Sequence, residues 1–249
     1  MTPPPMITVV NQSKALTDHE VEAMVHAVGV QLARDVAPIW GLTPALEFSA
    51  DGSVAALSSP CFIIDQPDVE GALGYHDEDE AGVSYIKVFT APTLENGGTA
   101  FTGPESISVT LSHEICELIG DGPANKWADG PDGSDFAFEL CDAVEGDAYE
   151  IGGVSVSNFL YPAFFDPKAA PGSKLDFLGK LHKPFDMTAG GYQIKRTEPG
   201  KESEVYAKHA QLAIQEMNGG VFVVFGSTFP HWKRALKLRK ALARGRVSP

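Results

Sequence analysis

The stretch Ser112-His-Glu-Ile-Cys-Glu-Leu-Ile-Gly120 sets one histidine and two glutamates in the pattern His113-Glu114-x-x-Glu117. Residues four apart on a helix project from one face, so His113 and Glu117 are spaced to hold one cation between them. Glu114 is offset by about 100° around the axis and is placed to face a water bound to that cation. A carboxylate base beside a metal-activated water is the chemistry of hydrolysis. A glutamate binds zinc at nearly the distance of an imidazole, but it adds negative charge and leaves the bound water less acidic. The plain alternative is a solvated helix face on which His113 and Glu117 form an ordinary i, i+4 pair. Against it, the ionic residues sit in a run of Ile, Val, Leu and Cys, where uncompensated charge is costly.

Positioning that motif requires a helix. Ile107, Leu111, Ile115 and Leu118 recur at helical spacing, Thr102-Gly-Pro-Glu105 offers a start, and Gly120 an end. Upstream, Met6 to Val10 reads as a strand. Thr17-Asp-His-Glu20 reads as a capping box opening a helix whose core face is Val21, Met24, Val25, Val28, Leu32 and Val36, with Pro38 discouraging continuation. Val54 to Ile64 and Val83 to Phe89 read as extended, the latter as an edge-like strand. Between them, Asp65 to Glu80 carries seven acids and no lysine or arginine, and reads as a loop.

A further ligand has to come from downstream. In Phe138-Glu-Leu-Cys-Asp142, the alternation of Phe136, Phe138 and Leu140 reads as a strand, on which Glu139 and Asp142 face opposite sides. Only one can then be a ligand, with Glu139 ranked slightly above Asp142 and the other supporting it. His182, His209 and His231 stay open as substitutes. Tyr149-Glu-Ile and Val154-Ser-Val read as a hairpin joined at Gly152-Gly153. Pro162 to Pro199 has no long period, and Gly190-Gly191-Tyr192 reads as a turn before a strand at Gln193 to Lys195. Ser203 to Met217 reads as a helix, Val221 to Phe225 as a buried strand and Trp232 to Ala243 as a basic helix.

Other chemical groups carry plainer readings. His76 lies in an acidic segment, where a histidine is ordinarily solvated, with metal ligation or substrate contact as the functional option. Asp129, Asp132 and Asp135 recur every third residue without the EF-hand pattern and read as turn formers. Tyr149 is a candidate for oxyanion stabilisation. Cys116 is a weak nucleophile, with an acid beside it and no cation to form a thiolate.

The chain has 249 residues, 43% of them hydrophobic and 21% charged, with no stretch approaching the ~20 apolar residues of a membrane span. Three cysteines without a C-x-x-C pair argue against a disulfide framework or a zinc knuckle. Met1 to Met6 lacks the layout of a secretory signal, and an intracellular protein is expected. Seven of the 19 basic residues lie between Lys233 and Arg246, a stretch without an acid, while the net charge is −14. The body therefore repels nucleic acid, and only the tail suits it, another acidic partner or the body itself. No phosphate-binding loop pattern occurs. One domain over residues 1–231 with a basic tail over 232–249 is the simplest division.

His113-Glu114-x-x-Glu117 resembles the H-E-x-x-H helix of zinc proteases with glutamate in place of the second histidine. The order of elements across roughly residues 6–145 resembles the upper half of the zincin metalloproteases. Gly120 falls where the metzincin subfamily has its glycine, but Pro123 stands where its third ligand would be; Glu139, 22 residues after Glu117, is closer to a gluzincin-like arrangement. The resemblance implies an α+β, zincin-like fold with a mixed sheet, an N-terminal helix and an active-site helix, followed by a β-rich C-terminal half and the basic tail helix. It also implies one zinc ion, a peptide or protein substrate taken in extended form along Val83 to Phe89, and Glu114 as base.

Ser112–Glu117, Glu139–Tyr149, Val156–Phe159 and Gly190–Tyr192 also resemble an uncharacterised family of bacterial and phage-associated proteins, which implies that the first two blocks share one site. The second functional class that follows is a non-catalytic structural protein, cytoplasmic or within a phage-like particle. Its metal would stabilise the fold and its basic tail would dock it.

Overall fold

A computed structural model of the chain describes residues 6–42, 44–69, 72–198 and 201–207. The fold class is α+β, and the chain forms two compact units, one drawn from Met1–Ala124 and Ala148–Ser157, the other from Asn125–Asp147 and Asn158–Pro249. No helix among the described residues is long and apolar enough to cross a membrane.

The first unit is built on β1 (Met6–Asn11), whose central residues Ile7 to Val10 are buried. Thr17 caps α1 (Asp18–Gln31) through the expected box: Thr17 N donates to Glu20 Oε2 at 2.7 Å and Glu20 N to Thr17 Oγ1 at 3.3 Å. All six residues assigned to the core face of this helix are buried. The helical path does not stop before Pro38. It passes through a π-helical turn, Leu32–Val36, into α2 (Ala37–Trp40), where Pro38 occupies the first turn and needs no N–H partner; Gly41 then ends it at φ 66°.

Four further strands, β2 (Ala45–Ser49), β3 (Ser58–Ile64), β4 (Gly74–Glu78) and β5 (Ser84–Phe89), join β1 in one sheet of order β2-β1-β3-β5-β4. All pairs are parallel except β4 with β5. This overturns two expectations. The acidic segment 65–80 is not wholly loop, because it contains β4. And β5 is not the edge, because it lies between β3 and β4. Asp77 and Glu78 lie on β4, and Asp79 accepts from Ala81 N and Val83 N at 2.9 Å each and so caps the β4–β5 connection.

A short α3 (Thr90–Glu95) follows β5, and α4 (Ile107–Asp121) comes next. Its N-cap is Ser106, whose hydroxyl accepts from Val109 N at 3.4 Å, so Thr102 to Glu105 precede the helix instead of opening it.

In the second unit β6 (Trp127–Asp129) and β7 (Asp135–Ala137) form a short antiparallel pair. The chain then leaves strand geometry and forms a 3₁₀ turn at Asp142–Val144. β8 (Ala148–Ile151) and β9 (Val154–Ser157) make the expected hairpin of the first unit, with Gly152 and Gly153 at φ 60° and 85° as a type I′ turn requires. A second 3₁₀ turn spans Pro162–Phe165. β10 (Tyr192–Glu198) covers the strand expected at Gln193 to Lys195, and with β11 (Lys201–Tyr206) it completes a sheet of order β11-β10-β7-β6. Residues 203–206 of the expected helix are thus strand, because Ser203, Glu204, Val205 and Tyr206 pair across to β10, and its remainder from residue 208 to 217 lies outside the described residues. The expected strand at Val221 to Phe225 and basic helix at Trp232 to Ala243 lie outside the described residues.

The second unit's core gathers Ala143, Val144, Leu160, Phe164, Leu175 and Leu181. Beside it the fully buried Asp176 accepts from Asn158 Nδ2, Lys180 N and Leu181 N at 2.9–3.0 Å, which ties an aperiodic segment together through one side-chain and two backbone donors.

Candidate metal centre

Of the fifteen residues of α4, only Ile119 is not buried. A helix enclosed on every side needs partners for its polar groups inside the protein, and two of its serines, one on the turn preceding the motif and one on the turn before that, find theirs on α1 and β9. Ser112 Oγ donates to Gln31 Oε1 (2.8 Å) on α1 and accepts from Ser157 N (2.9 Å) on β9, while Gln31 Nε2 donates to Ser157 O (2.8 Å). This closed ring is fully buried. One turn earlier, Ser108 Oγ donates to Ser155 O at 2.7 Å. The two contacts fix the rotation of α4 about its axis immediately before His113.

With that rotation set, the motif points inward. His113, Glu114 and Glu117 are 8%, 7% and 4% exposed, which excludes the solvated-face alternative. His113 Nε2 lies 3.0 Å from Glu117 Oε1, as the i, i+4 spacing requires.

The residue that the sequence reading underweighted is His76. It is not solvated: it sits on β4, 8% exposed, with Nδ1 3.5 Å from Glu114 Oε2 and 3.6 Å from Glu117 Oε2. Its other nitrogen, Nε2, lies 3.1 Å from the backbone carbonyl of Asp121. A carbonyl only accepts, so Nε2 carries the hydrogen and Nδ1 is turned toward the two carboxylates. Two carboxylates around an imidazole nitrogen repel unless a proton or a cation stands between them. β4 is allowed this close by Gly74, two residues before His76 on the same strand face. A Cβ there would sit 2.7 Å from Thr110 Cγ2 and 2.9 Å from Glu114 Cγ.

No lysine or arginine of the same unit compensates this charge. Arg34 pairs with Asp35, Lys87 pairs with Asp68, and Lys14 is exposed. The acidity is felt across the strand behind: burial, with the Glu114 charge added, holds the Cys61 thiol far above its ordinary value. His76 with Glu117, and His113 with Glu117, offer ligand atoms within 4.8 Å of one another. Imidazole nitrogen and carboxylate oxygen form a donor set suited to zinc and to other first-row divalent ions.

No family model, curated protein or solved structure matches this chain.

The remaining candidates fall as follows. Glu139 and Asp142 belong to the second unit and are 7% and 3% exposed. Glu139 follows β7, and Asp142 opens the 3₁₀ turn, so neither lies on a strand and strand parity does not rank one over the other. Tyr149 is committed elsewhere. Its hydroxyl donates to Asp35 Oδ2 at 2.7 Å, and burial and that carboxylate raise its pKa, so it is not an oxyanion donor beside α4. Cys116 is fully buried and, like Cys61 and Cys141, is a free thiol. His182 is exposed, and His209 and His231 lie outside the described residues.

Asp132 accepts from Ser134 N (3.2 Å) and Lys195 Nζ (2.5 Å), and Asp135 pairs with Arg196 (2.7 Å). Asp132 therefore serves the turn as expected, whereas Asp129 and Asp135 lie opposite each other on β6 and β7, with Asp135 held in an ion pair.

Proposed function

We propose that α4 and β4 carry a metal-dependent hydrolase centre of peptidase type on a zincin-like arrangement. The observation that supports this reading is the burial of His113, Glu114 and Glu117 against His76, with the cationic side chains of the same unit placed elsewhere. His113 and Glu117 hold a divalent cation, zinc by the chemistry of the donors. When bound, such an ion polarises a carbonyl oxygen and acidifies a water. Glu114 takes the proton of the attacking water on a carboxylate oxygen and delivers it to the leaving nitrogen of a peptide or related amide. The extended-substrate role assigned from sequence to Val83–Phe89 passes to β4, the outer strand next to α4.

The test is elemental analysis of untagged full-length protein, with a peptide-library screen alongside. Wild type is expected to carry zinc that His113→Ala loses, and Glu114→Gln is expected to keep the metal while losing 10²–10⁴-fold in turnover, roughly the worth of a general base. Metal-free wild type, or full turnover in Glu114→Gln, would overturn the reading. Alanine variants of Glu139 and Asp142, read by metal content, decide the carboxylate that the sequence offers as a further ligand.

The same deep burial favours a second reading, a metal held for stability in a non-catalytic structural protein. That version predicts full metal content with no turnover in wild type.

A further inference from the structure

We infer that Glu117 bridges two cation positions, one headed by His113 and the other by His76, so that the centre takes a pair of divalent ions. The inference rests on the metal reading of α4 and goes beyond its single ion. Glu117 presents its two oxygens to different imidazoles: Oε1 lies 3.0 Å from His113 Nε2, and Oε2 lies 3.6 Å from His76 Nδ1. Ligands of one ion cannot lie farther apart than two coordinate bonds, about 4 Å for imidazole nitrogens on zinc. Among the described residues, the groups compact enough for one ion join Glu117 to His76 or to His113, and no such group contains both imidazoles.

A carboxylate that meets one imidazole through each oxygen is the geometry of a bridge, and bridged ions of hydrolytic centres lie about 3.5–4 Å apart. His76 is oriented for the task. The Asp121 carbonyl, 3.1 Å from Nε2, fixes the ring so that Nδ1 is the ligating atom, the backbone-carbonyl support that metal-bound histidines ordinarily have. The missing side chain at Gly74 is what lets this strand reach α4. Each position offers one nitrogen and one carboxylate oxygen, a set that suits Zn²⁺, Mn²⁺ or Co²⁺.

The experiment loads full-length protein with Zn²⁺ or Mn²⁺, removes excess by gel filtration, and measures stoichiometry with the electron paramagnetic resonance spectrum of the Mn²⁺ form. Two equivalents and a spin-coupled signal are expected in wild type, with His76→Ala falling to one equivalent and an uncoupled signal. Circular dichroism establishes that the variant is folded, and the wild-type spectrum tests the bridge without any variant. One equivalent in wild type overturns the bridge and leaves the His113–Glu117 site standing. Two uncoupled ions, or two equivalents that survive His76→Ala in folded protein, overturn it as well, because the second ion is then elsewhere. No bound metal at saturating concentration sinks both readings.

Discussion

A carboxylate drawn wholly or partly out of water needs a counter-group, and the first unit supplies one in two ways, at the half-buried Asp65 and at the buried Glu114 and Glu117. Around Asp65 it is a set of neutral donors: the Ser13 hydroxyl, Lys14 N at 3.1 Å and the Thr90 hydroxyl at 3.0 Å. These hydrogen bonds, that of Ser13 foremost, hold the Asp65 carboxyl below its ordinary range. A depressed acid contributes stability that is full above the unfolded-state pKa and is lost as pH falls through the folded one. Asp65→Asn is therefore expected to flatten the loss of stability on the acid side, read by urea midpoints across that range; an unchanged acid limb would refute it. Around Glu114 and Glu117 the counter-group is imidazole and, in the proposal, metal. His113, Glu114 and Glu117 were legible in sequence because one helical turn sets their relation. His76, 37 residues before His113, was not, because only strand pairing brings it there.

Elements place these residues through contacts that hydrophobic periodicity does not register. β4 read as loop because its sequence, Gly-Tyr-His-Asp-Glu, has no apolar alternation; the face toward α4 is made of a glycine and a histidine. Gly74→Ala is expected to cost about 1–3 kcal/mol, the range for overpacking, because Thr110 Cγ2 is too short to move aside. Chemical denaturation measures it, and a midpoint equal to wild type would show that β4 has room to shift. The Ser112–Gln31–Ser157 ring is as hard to read in sequence. Ser112 adjoins the motif, but its partners lie 81 and 45 residues away. By contrast, the cap of α1 and the β8–β9 turn were read correctly, since each is decided within a few residues. β11 was misread as helix because its partner, β10, is what selects an extended conformation there.

For the whole chain, a net charge of −14 concentrates the problem that a metal would relieve. An ion bound only by the folded state at 100 times its Kd adds about 2.7 kcal/mol. Chelation of the metal-loaded protein is thus expected to lower its thermal midpoint, and re-addition of zinc to restore it; a midpoint indifferent to chelator would count against any structural or catalytic ion. The sequence by itself determined the α+β class, the core face of α1, the helix at α4, the cap of α1 and the β8–β9 turn, and the spacing of His113, Glu114 and Glu117. Each of these depends on residues within a turn or two of one another. Tertiary structure alone decided that the motif is buried, that β4 is the outer strand beside it, and that His76 joins it. Those outcomes depend on close approach between distant segments, and a missing side chain at Gly74 and a buried serine ring leave no periodic trace in the chain.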